Sequence, residues 1–92
     1  MLLARELKHR LENWLALAEE TSEIPAALAD WRRNLLKTAE QIEVCEELIG
    51  SQAEEDLREA VVMARVGGPQ SFELVRTLFQ KVLLDMQSRG LD

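Results

Sequence analysis

The chain has 92 residues, 47% apolar and 30% charged, with a net charge of -6; this suits one small globular domain over residues 1–92 and is too apolar for intrinsic disorder. No apolar run approaches the roughly 20 residues that a spanning helix requires, and Met1-Leu2-Leu3-Ala4 runs straight into Arg5, Glu6 and Lys8, unlike a secretory signal. The acidic balance argues against free binding to nucleic acid or an anionic membrane, while one cysteine and one histidine exclude an intrachain disulfide and the usual zinc sites and suit a reducing cytoplasm.

Leucine, alanine and glutamate dominate, and glycine and proline fall only where the pattern breaks. Both features favour helices throughout. A first helix is predicted from about Leu2 to Glu20, with Leu3, Leu7, Leu11, Trp14, Leu15 and Ala18 along one face. Thr21 and Ser22 then offer hydroxyls suited to a helix end or the next N-cap.

A second helix is predicted from about Pro25 to Ile49. Pro25 suits a first turn, where its missing N–H is not needed. Leu28, Trp31, Leu35, Thr38, Ile42, Cys45 and Ile49 alternate spacings of three and four, a heptad-like seam. Gly50 reads as its stop. A third helix should run from Gln52 to Val66, opened by the Ser51-x-x-Glu54 capping box. Its face of Ala53, Leu57, Ala60, Val61 and Ala64 is small-sided, and Gly67-Gly68 ends it. The fourth helix should start at Pro69 and end near Arg89, with Gly90 as its stop. Phe72, Val75, Phe79, Val82 and Met86 make it the most apolar helix and the expected centre of the core. Connections of two to four residues favour antiparallel neighbours. The expected fold is all-α, a compact bundle of about four antiparallel helices. Trp31, Ile42, Phe72 and Phe79 are its expected buried anchors.

Residues able to carry chemistry are few. His9-Arg10-x-x-Asn13 resembles the phosphoacceptor box of some sensor histidine kinases, with Glu12 where a lysine is usual. That resemblance implies an exposed phosphoacceptor imidazole, yet Glu6 and Glu12 flank His9 and would repel a phosphoryl group. No ATP-binding segment follows, so His9 reads as a surface histidine. Cys45 lies on the seam among Glu43, Glu46 and Glu47, which oppose a thiolate, so it reads as a core residue. Gly67-Gly68-Pro69 lacks the Lys-Ser or Lys-Thr of a phosphate loop. No nucleophilic constellation, cofactor motif or metal-ligand spacing is present, and no enzymatic activity, cofactor or metal is expected. The third helix, its Gly-Gly-Pro turn and the fourth helix have the order of a helix-turn-helix. Only Arg76 among the reading positions is basic, and Glu73 would repel phosphate.

The charge layout carries more information. Seven acids and no base lie between Glu40 and Asp56. Arg32, Arg33 and Lys37 precede them, a polarity that opposes the macrodipole of a helix through this region. Glu43 and Glu47 add a like-charge pair at i,i+4. Leu36 and Val44 fall outside the seam, as do Leu84 and Leu2 on their helices. On a continuous second helix, Arg33, Leu36, Glu40, Val44 and Glu47 line one outward stripe, an apolar centre with a charged rim. That stripe, extended by the acidic corner at Gly50, is the predicted partner surface. The alternative is that Leu36 and Val44 pack inside the bundle.

The expected function is therefore non-enzymatic protein binding, as an adaptor, co-chaperone or regulatory or assembly subunit, with self-association a further option. In size and composition the chain is similar to small acidic helical secretion chaperones and assembly factors. The alternative is an accessory subunit of a nucleoprotein complex, touching phosphate through Arg32, Arg33 and Lys37.

Overall fold

A computed structural model describes residues 1–20 and 28–91. Among these residues four helices run in the order α1 (Ala4–Glu20), α2 (Leu28–Ala39), α3 (Gln52–Val66) and α4 (Pro69–Ser88), with a 3-10 turn at Glu46–Leu48 between α2 and α3. There is no strand among the described residues, only an isolated parallel bridge between Leu2 and Cys45. The Cα radius of gyration is 12.7 Å, against about 12 Å for a close-packed chain of this length. The expected all-α bundle is the fold observed. The expected break near residues 21–24 and the placement of Pro25 in a first turn lie outside the described residues.

The bundle is organised around α4. It packs most extensively along α3, to which two residues join it, and it also meets α1 and α2. Phe72, Val75, Leu78, Phe79, Val82 and Met86 are all buried, so the fourth helix is the apolar centre that its composition implied. The small face of α3 (Ala53, Leu57, Ala60, Ala64) is buried as well. Few atoms project from the three alanines, so the neighbouring backbone can approach closely.

Local chemistry sets the ends of α3 and α4. The Glu54 amide donates to Ser51 Oγ at 3.4 Å, and the Glu54 carboxylate accepts from the Gly50 amide at 3.2 Å. The capping box thus reaches back one residue further than its usual form, because the Ser51 amide is already bonded to the Leu48 carbonyl at 3.0 Å. Gly67 closes α3 at φ 70°, donating to the Met63 carbonyl. After α4, Gly90 at φ 72° donates to the Gln87 carbonyl and the Leu91 amide to the Met86 carbonyl. This is a Schellman closure, and Leu91 packs back on the core.

The second helix departs from expectation. It stops at Ala39, ten residues before Ile49 in the predicted range. Gln41 and Ile42 donate to the Thr38 and Ala39 carbonyls in a tightening turn, after which the chain extends through Val44. The glutamates that follow oppose the helix dipole, and β-branched Ile42 and Val44 lose side-chain freedom in a helix. Burial decides the rest: Ala39, Ile42, Cys45 and Leu48 are all buried at a strict spacing of three. An α-helix would spread those four residues over half its circumference.

The face of α2 is also rotated from the predicted seam. Leu35, Leu36 and Ala39 are buried, while Thr38 is exposed and Trp31 is 42% exposed. Trp14 of α1 takes the aromatic place expected of Trp31, packing against both Phe72 and Phe79. At the N-terminus, Leu2 rather than Leu3 packs on the core, because Leu2 is held in the bridge to Cys45 before α1 begins.

Candidate functional site

The predicted partner stripe is dispersed by the early end of α2. Arg33 is exposed and lies 3.8 Å from Asp30. Leu36 is a core residue at 6% exposure. Glu40 sits in the turn, its amide donating to the Leu36 carbonyl. Val44 is half-buried against the core, and its carbonyl accepts from the Leu2 amide at 3.2 Å. Glu47 is exposed on the 3-10 turn. These five residues share no helix face. The packing alternative for Leu36 and Val44 is the one observed, and Leu84 alone of the four off-face residues stands open, at 64% exposure.

The three basic residues are likewise separated in role. The Arg32 guanidinium lies over the Phe72 ring, 4.9 Å from its centroid, with Nε buried and unpaired. A cation on an aromatic face is attracted by the ring quadrupole and covers apolar surface with its stem. Arg33 is paired to Asp30, and Lys37 is exposed with no acidic partner among the described residues.

His9 is exposed on α1, its Nε2 3.2 Å from Asn13 Nδ2 one turn on. Cys45 is fully buried. Burial, reinforced by the Glu47 carboxylate, pushes its thiol above the ordinary range, which opposes thiolate formation. No group of three or more metal-ligating side chains occurs among the described residues. Among the described residues, no helix is long and apolar enough to cross a membrane.

What the early end of α2 creates is a corner with a hole in it. The extended residues Ile42 and Val44 face Glu54, Leu57, Arg58 and Val61 of α3 across an open cavity of about 180 Å³. Alternation along an extended segment puts Ile42 and Val44 on one side, with Glu43 on the other. Successive positions on α3 add Glu54, Leu57, Arg58 and Val61 at spacings of three and four, one face of that helix. The lining is aliphatic except for Glu54 and Arg58, whose oxygen and nitrogen lie 3.6 Å apart at its edge. Glu54 is also tied to the Gly50 amide, so the α3 capping box supports this edge. Ile49 stands 52% exposed in the same corner, beside the exposed Glu46 and Glu47.

Sequence reasoning singled out the acids and Val44 but not the cavity, whose far wall is Leu57 and Val61. Nothing in the spacing of either segment brings them together; tertiary packing does. Comparison with family models, curated proteins and solved structures finds no match to this chain.

Proposed function

We propose that this chain is a non-enzymatic protein-interaction module, an adaptor or assembly subunit, whose partner docks at the corner built by residues 42–50 and α3. The observation that carries this reading is the open aliphatic cavity between Ile42, Val44, Leu57 and Val61. Binding patches take this form: a small apolar centre that is desolvated on contact, inside a polar rim. The half-exposed Ile49 adds apolar surface to the same corner. The surface offered is no longer the outward stripe of a long helix, since Leu36 belongs to the core. The buried, protonated Cys45 behind the corner suits a reducing compartment.

The test fills the cavity. Val61 is half-buried on its wall, so Val61→Phe puts a ring into the space a partner would use. Tagged wild-type chain recovered from native cell extract should carry a stoichiometric protein partner, and Val61→Phe should lose it without a lower melting temperature. Equal recovery with both chains, or no partner on the wild type, overturns the reading. The nucleoprotein alternative predicts instead that recovery follows Arg33 and Lys37 and falls steeply with salt.

A further inference from the structure

We infer that residues 1–3, ahead of α1, act as a latch on the corner: Leu2 holds Val44 where it walls the cavity, and releasing Leu2 takes that wall away. This rests on the corner being the docking site and adds how that site is controlled. What holds the wall comes first. Helix α2 ends at Ala39 and the 3-10 turn begins at Glu46, so the stretch between them belongs to no helix. At its start the Ile42 amide donates to the Ala39 carbonyl, and at its end the Cys45 carbonyl accepts from the Leu48 amide, both at 3.2 Å. Between those two bonds the Val44 carbonyl accepts from the Leu2 amide at 3.2 Å, and Leu2 pairs with Cys45 in the parallel bridge. Successive side chains on extended backbone point to opposite sides, so buried Cys45 and cavity-lining Val44 diverge. Buried Cys45 anchors the stretch to the core. The Leu2 bond fixes the peptide plane between Val44 and Cys45, and with it the direction in which Val44 faces Leu57 and Val61.

How readily the latch opens comes second. The bridge at Leu2 is isolated and is not continued into a ladder. Met1 and Leu3 on either side are exposed, so Leu2 is the one residue of the three that packs on the core. The Leu3 carbonyl already accepts from the Leu7 amide at 3.0 Å, so the first turn of α1 is closed whether or not Leu2 is docked. Segments with few backbone bonds and little buried surface open separately from the rest of a fold. Opening here frees the half-buried Val44 carbonyl from its donor and leaves the cavity wall to be held by side chains alone. The two events are therefore linked. A partner seated against Val44 favours the docked Leu2, and a docked Leu2 favours that partner by the same factor.

The experiment uses the whole chain, and its first part needs no partner. Leu2→Pro removes the N–H that Val44 accepts from, and Leu2→Ala keeps that N–H but takes the side chain off the core. Methyl resonances of Val44, Leu57 and Val61 and hydrogen exchange at the Leu48 amide read the corner; the amides of Val75 and Val82 in α4 read the core. Leu2→Pro should shift the Val44 methyls and speed exchange at Leu48 by about tenfold or more, with Val75 and Val82 changed by less than about threefold. Leu2→Ala should move the same signals in the same direction by less. Corner signals unmoved in both variants overturn the latch. Acceleration of Val75 and Val82 by the same factor as Leu48 also overturns it, because Leu2 is then an ordinary part of the global fold. The second part is partner recovery, which Leu2→Pro should reduce as Val61→Phe does. A loosened corner with full recovery of a partner that Val61→Phe abolishes overturns the latch as a control and leaves the docking reading standing. A loosened corner with a partner that neither variant disturbs overturns the docking reading, and control of docking by Leu2 falls with it.

Discussion

Trp14 Nε1 donates to the Leu35 carbonyl at 2.8 Å, while the Trp14 ring stands edge-on to Phe79 with centroids 5.0 Å apart. One side chain thus ties α1 to α2 through its polar tip and to α4 through its ring. Buried tryptophan indoles need such a partner for the N–H, and edge-to-face rings are favoured by the quadrupole. The Leu35 carbonyl also accepts from Thr38 Oγ1 at 2.7 Å, so it retains a partner if the indole is removed.

Trp14→Phe should therefore cost about 1 kcal/mol, the worth of one hydrogen bond with no orphan left behind. Trp14→Ala should cost about 3–5 kcal/mol, because it also empties the space between three helices. Urea unfolding of both variants measures the difference. Equal losses would mean that the ring contributes nothing beyond its N–H.

The two tryptophans should separate spectroscopically. Trp14 is 3% exposed and Trp31 42%. Trp31→Phe should leave a blue-shifted emission resistant to acrylamide quenching, and Trp14→Phe a red-shifted, readily quenched one. Trp31→Ala should cost less than about 1 kcal/mol, as surface truncations do, whereas Phe79→Ala should cost about 3–5 kcal/mol.

The ends of α3 make a third prediction. Ser51→Ala removes the acceptor for the Glu54 amide and should cost about 0.5–2 kcal/mol. Gly67→Ala meets no close atom, yet forces a side chain onto φ 70° and should cost about 1 kcal/mol. Thermal melts of each variant check both values, and an unchanged melt for Ser51→Ala would show that the cap is dispensable.

Cys45 predicts a pH dependence. Its folded thiol is raised above the ordinary range by burial and by Glu47. Between the unfolded and folded values the unfolded chain binds fewer protons, so stability is full below the ordinary thiol pKa and declines as pH rises through the folded one. Denaturant titrations from neutral to alkaline pH should show this decline in the wild type and less of it in Cys45→Ala. A thiol reagent at neutral pH should label Cys45 only at the rate of unfolding. Immediate labelling would contradict the burial.

The elements that were legible in the sequence are those with their own punctuation. Ser51, Gly67, Pro69 and Gly90 act locally, and α3 and α4 begin and end beside them. The region from Leu28 to Ile49 has no such marker at Ala39, and its threes and fours read as one helix. Two signals pointed the other way: glutamates opposing the dipole, and the triplet spacing of Ala39, Ile42, Cys45 and Leu48. Each local penalty is only tenths of a kcal/mol, so burial of those four residues decides. The candidate corner follows the same division. Its acids could be read from the chain, whereas Leu57 and Val61 meet Val44 only through packing.

The contact between Trp14 and Phe79 also bears on the order in which the molecule is made. Translation releases α1 before α4, and the rings that cover the apolar face of α1 belong to α4. At about 5–20 residues per second the interval is on the order of seconds. During that time the Leu7–Leu11–Trp14 face has no native cover from α4, and a nascent chain stalled before Phe72 should be bound by ribosome-associated chaperones far more than one stalled beyond residue 92.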